Sequence, residues 1–197
     1  ILLTRDDIKE EEKEECLSII NKQAVNLAAI INDLLDISRI ESGKGFTLNK
    51  VPCNIADMIR DIVPHFQTLF PKHSFDVVVP EESVEVMVDR QKMGQVLENI
   101  LSNAVKYSPE GGLIQITGEL LEDHYQVYIE DQGIGMTSEQ VEKMFDKFYR
   151  ADASTTAIPG TGLGMNIVQY LVEAHGGEVW VESELGKGTT VKFTIST

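Results

Sequence analysis

Asn99 and Asn103 stand four residues apart, with Lys106 one turn further on, inside a stretch that reads as helix from Arg90 to Tyr107. At roughly 100° per residue this stretch divides into two sides. Met93, Leu97, Ile100, Leu101 and Ala104 fall on one, and Gln95, Asn99, Ser102, Asn103 and Lys106 on the other. A polar stripe is ordinarily the wet face of a helix. Such faces are filled with Glu, Lys or Arg, however, because Asn competes for backbone hydrogen bonds and lowers helix propensity. Two asparagines one turn apart therefore suggest ligands: a neutral amide oxygen suits Mg2+, and a lysine one turn on suits phosphate.

Asp131-Gln132-Gly133-Ile134-Gly135-Met136 directly follows a strand-like run. Either the glycines simply let a strand reverse, or Asp131 at the strand tip accepts a hydrogen bond from the exocyclic amine of a base. Gly160-Thr161-Gly162-Leu163-Gly164-Met165 opens a helix. It follows a loop rather than a strand and is not followed by Gly-Lys-Ser/Thr, so it is neither a dinucleotide fingerprint nor a P-loop. Its backbone N–H groups at a helix N-terminus suit phosphate, while a flexible linker is the plainer alternative. Between the two glycine clusters lies Phe145-Asp146-Lys147-Phe148-Tyr149-Arg150, then a small, polar, unpatterned run over 151–159. That run reads as a mobile lid, Phe145 and Phe148 as a core anchor, and Arg150 as a cation able to reach a terminal phosphate.

These residues need elements to hold them. Ile8 to about Glu41 reads as one long helix, acidic at its start, with Leu17, Ile20, Ala24, Leu27, Ile31 and Leu34 along a heptad seam. A second row, Ile19, Ile30 and Ile37, widens the apolar face toward a bundle or a dimer of hairpins; packing on its own domain is the alternative. The glycines of Ser42 to Gly45 end the helix and mark a boundary. Beyond it, Phe46–Val51 reads as an edge strand and Asn54 as the cap of a helix to about Phe70, kinked by Pro64. Phe75–Val79 and Glu85–Val88 read as strands, with Asp89 capping the asparagine-bearing helix. Ile114 to Gly118 and Tyr125 to Ile129 alternate as an antiparallel pair, Leu163–Ala174 is a helix, and Glu178–Glu182 with Thr190–Ile195 a closing hairpin. The expected class is α+β: a two-layer sandwich with a mixed, mainly antiparallel sheet, helices on one face, and a long bundle-forming helix in front.

Composition narrows the function. The 197 residues carry 32 Asp and Glu against 17 Lys and Arg, a formal charge of -15, which repels polyanions and argues against nucleic acid or anionic lipid as partner. Any phosphate ligand then needs a local cationic pocket or a metal. Cys16 and Cys53 are isolated from one another and read as reduced thiols of a cytoplasmic protein; no zinc spacing, signal peptide or membrane span is legible. Opening at Ile1 without Met, the chain is expected to be a fragment of a longer protein, one that other segments anchor in a membrane or leave free.

In this order and spacing the motifs resemble the catalytic ATP-binding domain of the sensor histidine kinases, which share an ATP-lid fold with gyrase and MutL-type ATPases. Asn99-Ile100-Leu101-Ser102-Asn103-Ala104-Val105-Lys106-Tyr107 resembles the family's N box. Asp131 to Gly135 resembles its first glycine box, Phe145 to Arg150 its aromatic box, and Gly160 to Gly164 its second glycine box. Glu173-Ala174-His175-Gly176-Gly177 and Gly186-Lys187-Gly188-Thr189 match further family phrases.

The resemblance implies ATP and Mg2+ as cofactors. It makes Asn103 the metal ligand with Asn99 nearby, Lys106, Lys147 and Arg150 phosphate contacts, Tyr107 a lining residue and Asp131 the adenine acceptor. Gly133, Gly135, Gly160, Thr161, Gly162, Leu163 and Gly164 would supply hinges and phosphate contacts, and Thr189 would support Asp131. Asn99 stands where gyrase-like relatives carry a water-activating glutamate, which favours transfer over hydrolysis. Residues 1–44 would be the remnant of a dimerisation hairpin, its second helix including Asn32 to Arg39, and 45–197 the kinase domain. The phosphoacceptor histidine belongs on the first helix. His65, His73, His124 and His175 lie in none of the right surroundings and read as surface or packing residues. Implied partners are that hairpin, from the parent chain or its dimer mate, a second copy of the parent, and the receiver domain of a response regulator. A serine kinase of the same fold and a non-catalytic nucleotide-binding signalling module are the competing functions.

Overall fold

The structure is a computed structural model that describes residues 10–42, 47–82, 84–150 and 160–196. It divides into two compact units, Ile1–Lys44 and Gly45–Thr197. In the first, helix α1 (Glu10–Glu41) has acidic residues at its positive N-terminal end and Arg39 in its last turn, as the helix dipole favours. The heptad row stays uncovered: Leu17, Ile20, Leu27, Ile31 and Leu34 are 46–62% exposed. Among the described residues, no helix is long and apolar enough to cross a membrane.

The second unit is built from β1 (Val51–Asn54), α2 (Ile55–Leu69), β2 (His73–Val78), β3 (Glu85–Val88), α3 (Arg90–Lys106), β4 (Gly112–Leu120), β5 (His124–Asp131), α4 (Ser138–Lys143), α5 (Gly164–Ala174), β6 (Val179–Glu184) and β7 (Gly188–Ser196). Five strands form a sheet in the order β2-β4-β5-β7-β6, parallel at β2–β4 and antiparallel elsewhere. The edge strand expected at 46–51 is displaced. Thr47–Lys50 are not a strand; β1 begins at Val51 and pairs antiparallel with β3 in a separate two-stranded sheet. Alternation in so short a segment does not fix register, and pairing with Glu85–Val88 does.

Alternation along the long strands decides the layering. Ile114, Ile116, Val127, Ile129, Val191 and Phe193 point to one face and are at most 6% exposed. The opposite face is polar, with Lys192 paired to Glu182 at 2.6 Å and Tyr128 donating to Glu119 at 2.7 Å. The buried face is covered by helices whose apolar stripes match it: Met58, Ile59 and Val63 on α2, Met93, Leu97 and Ile100 on α3, Ile167, Val168 and Leu171 on α5. Asn54 caps α2 by accepting from Ala56 N–H at 2.9 Å, and Asp89 caps α3 by accepting from Gln91 and Lys92 N–H at 3.1 Å each. Both caps satisfy backbone donors that would otherwise be left without partners beside the core. The short helix α4 carries a reciprocal capping box between Thr137 and Gln140, a threonine-to-glutamine spacing legible in the sequence but not used above.

Candidate nucleotide site

The inward row of β5 runs Tyr125, Val127, Ile129 and then Asp131, so strict alternation carries a carboxylate into the position of the next core side chain. Asp131 is 7% exposed. Its Oδ1 accepts from Gly133 N–H at 2.8 Å, and the backbone N–H of Thr189, its register partner on β7, supports the same charge. Burial outweighs these bonds and holds the carboxyl above the usual aspartate range. The Ser108 hydroxyl lies beside the carboxylate and favours its charge, yet in a geometry too poor for a hydrogen bond, so its Oγ remains a buried polar atom without a formed partner.

Gly133 is required by close packing. A Cβ there would collide with the Tyr107 carbonyl and approach Ser108 Oγ to 2.7 Å and Asp131 Oδ1 to 2.8 Å. Ile134 N–H donates to the same Tyr107 carbonyl at 3.0 Å, which fastens the glycine turn to the end of α3. Gly135, at φ +62°, is pressed against the β6–β7 turn, and Gly186 N–H donates to Ile134 O at 2.7 Å. Close backbone contact is sufficient to require this glycine. The Thr189 hydroxyl pairs with Ser183 Oγ at 2.9 Å, and Ser183 also receives Met136 N–H at 2.9 Å.

On α3, Asn99, Asn103 and Lys106 are each half-buried. Asn99 Oδ1 lies 3.4 Å from the place where a Cβ on Gly164 would sit, and Asn99 Nδ2 is buried without a partner. Among the described residues, the Asn103 amide makes no hydrogen bond and Lys106 no ion pair; Lys106 Nζ sits 4.8 Å from the Tyr107 ring centroid. Lys106 Nζ also lies 2.5 Å from the position a Cβ on Gly160 would take. The end of α3, the strand-tip carboxylate and the loop that opens α5 thus meet in one place.

That loop is fixed at both sides. Gly162, at φ +72°, packs on Phe148 and Tyr149, and its carbonyl accepts Phe148 N–H at 3.0 Å. Thr161 Oγ1 accepts from Leu163 N–H at 3.2 Å. The Leu163 side chain is 1% exposed and belongs to the core, which leaves only its backbone for a ligand. No side chain caps α5, so its first N–H groups retain their positive end unneutralised.

In the aromatic segment, Asn166 Nδ2 donates to Phe145 O at 3.0 Å, tying it to α5. Phe148 is no core anchor: it has φ +62° and is 62% exposed. Lys147 is exposed and Arg150 half-buried, and the lid expected at 151–159 lies outside the described residues. The roles of Ser108, Ser183 and Asn166 were not legible, since hydroxyl and amide residues next to glycine-rich segments are indistinguishable from ordinary turn formers until the chain closes on itself.

No group of three or more His, Cys, Asp or Glu suited to a metal occurs among the described residues. The sandwich thus gathers, among the described residues, a half-buried lysine without an ion pair, a helix N-terminus without a side-chain cap and a buried carboxylate at a strand tip. Residues 88–197 match the histidine kinase-, DNA gyrase B- and HSP90-like ATPase family, and the chain belongs to that family.

Within the family it is similar to sensor histidine kinases. The sensor histidine kinase WalK of Bacillus subtilis (strain 168) is 39% identical over 91% of this chain and 30% of the relative. The autoinducer 2 sensor kinase/phosphatase LuxQ of Vibrio parahaemolyticus serotype O3:K6 is 34% identical over 98% of this chain and 23% of the relative. The chain therefore spans less than a third of the length of either relative. A catalytic domain of the histidine kinase ThkA superposes with a TM-score of 0.66 at 29% identity, over 75% of this chain and 97% of that one. ATP is the ligand of such a domain, and the observed sandwich is the expected one.

Proposed function

We propose that this chain is a protein-histidine kinase domain that binds Mg-ATP and transfers the γ-phosphoryl group to a histidine on a helical hairpin, of which α1 is the second helix. The observation that carries the reading is the polar face of α3. It presents amides and a lysine, Asn99, Asn103 and Lys106, and among the described residues the α3 side chain that meets Gly164 is the Asn99 amide rather than a carboxylate able to activate water. A site without such a base favours an acceptor that brings its own nucleophile.

The chain's residues then divide the work. Asp131 accepts from the adenine amine, and Gly133 and Tyr107 bound the base. Lys106 and the free N–H groups at the start of α5 hold phosphate, with Lys147 and Arg150 as further cations from the aromatic segment. Asn103 offers an amide oxygen to the metal, with Asn99 behind it. Held by Asn103, Mg2+ would supply Lewis-acid neutralisation of the phosphate charge. Holding the phosphates in line for an incoming imidazole is the main contribution, through position and electrostatics.

Three of the chain's four histidines are already engaged, and His65 is an exposed residue of α2. His175 and His73 each hydrogen-bond to backbone within the fold, and His124 pairs with the neighbouring Asp123. The acceptor is supplied by another segment, and α1's uncovered apolar row fits pairing with a first hairpin helix and a second copy. A response regulator receiver domain is the onward acceptor. Two free cysteines fit the reducing cytoplasm. Incubation with labelled ATP and a separate histidine-bearing hairpin tests the assignment. The hairpin should acquire acid-labile, alkali-stable phosphate; acid-stable label, or none, refutes histidine transfer.

A further inference from the structure

His175 ends α5 and is 3% exposed, and both ring nitrogens are engaged. Nε2 faces the backbone N–H of Asp89 at 3.0 Å, so it must be the acceptor, and the proton lies on Nδ1, which donates to Leu171 O at 2.7 Å. Asp89 is a junction in its own right. Its Oδ1 caps α3, and its Oδ2 accepts from Asn49 N–H at 3.0 Å.

The two helices joined here are those that build the phosphate half of the pocket. Asp89, at the start of α3, meets His175, at the end of α5; ten residues along α3, Asn99 meets Gly164, at the start of α5. At about 1.5 Å per residue the spans are roughly 15 Å on α3 and 16.5 Å on α5, so the helices lie antiparallel, bonded at the Asp89–His175 end and in close approach at the Asn99–Gly164 end. Between the pins, Met93, Val96 and Leu97 on α3 and Ile167, Val168 and Leu171 on α5 are completely buried. Apolar attraction is non-directional, whereas a hydrogen bond fixes one donor against one acceptor.

We propose that His175 is a positioning residue for the nucleotide site: its bond to the Asp89 N–H sets the register of α5 on α3, and with it the placement of the Gly160–Gly164 loop over Asn99 and Lys106. The inference rests on the ATP reading of that pocket. His175→Asn and His175→Gln separate the two ring bonds. The Asn amide nitrogen replaces Nδ1 and cannot reach Asp89, whereas the longer Gln places an oxygen near the position of Nε2.

Calorimetry at pH 7.5 with ADP as the probe should show His175→Asn weakened about tenfold, the scale on which remote positioning acts, and His175→Gln within about threefold of the parent. Without nucleotide, amide exchange at Gly164–Ile167, one helix length away, should accelerate in His175→Asn alone. A folded His175→Asn chain with unchanged affinity and exchange overturns the proposal, as does His175→Gln equally impaired in both. If His175→Asn does not fold, the parent chain decides: the pH is lowered from 7.5 until the His175 ring NMR signals report protonation of Nε2, which faces the Asp89 N–H. Exchange at Gly164–Ile167, corrected for its intrinsic pH dependence, should rise in the parent but not in His175→Gln; identical behaviour overturns the proposal. Failure of the parent to bind ADP counts against the ATP reading, and the exchange comparison still decides the register.

Discussion

Asp131 occupies a core position and pays for it in pKa, where the strand pattern offers an apolar side chain; on the proposed reading it is the acceptor for the adenine amine. Asp131→Asn keeps the volume and removes the charge. Its amide cannot accept an amine with the same strength, and titration calorimetry should show ATP-analogue affinity reduced at least about 100-fold, as for a lost charged hydrogen bond, with cooperative unfolding retained. Asn103 is a different case, a half-buried amide without a hydrogen-bond partner among the described residues. Asn103→Ala should weaken binding in the presence of Mg2+ and leave metal-free affinity within about twofold, the difference being the worth of one metal ligand. Equal losses with and without metal would remove Asn103 from the metal site.

At the scale of elements, the loop opening α5 depends on one backbone angle. Gly162 stands at φ +72° with Phe148 and Tyr149 against it, so Gly162→Ala should cost about 1–2 kcal/mol through the left-handed angle alone and displace the Gly160–Gly164 loop. Its checks are a lower urea midpoint together with weakened ADP binding. Helix α1 presents the opposite situation, an element whose sequence is regular but whose apolar row meets solvent. A single such helix gains little from packing, so a second helix is expected to cover it. Leu27→Glu with Leu34→Glu should abolish self-association in sedimentation while nucleotide affinity stays the same.

For the whole molecule, pH links these parts. Burial is the largest influence on His175 and lowers its pKa below 6.5; Lys50 acts the same way, while the Leu171 bond and Asp89 oppose it. The unfolded chain therefore binds this proton first as pH falls. Stability from the neutral imidazole is fully present above pH 6.5 and is lost below it, with a slope approaching about 1.4 kcal/mol per pH unit. Asp131 has the opposite sign at lower pH, since its folded pKa is raised. Urea midpoints between pH 7.5 and 5.5 should fall in the parent chain and remain flatter in His175→Gln; parallel curves would show that another group titrates.

Much of the fold was legible because hydrophobic period, caps and glycine stops are local properties. The 3.6-residue stripe of α3, the capping residues Asn54 and Asp89 and the alternation of β4, β5 and β7 needed only neighbours in the chain. The sequence also supplied the inventory of the site, with asparagines, lysine, acid and glycines at telling spacings. Convergence was decided by the tertiary structure. Lys106 beside Gly160, Asn99 beside Gly164 and His175 beneath Asp89 are separated in sequence by tens of residues, and their meeting follows from sheet register and helix packing. For the same reason the sequence assigned His175 only to surface or packing, and misjudged Phe148 and the edge strand at 46–51. The energy that determines whether a side chain lies inward, or which strand pairs with which, resides in contacts that do not exist until the chain has folded.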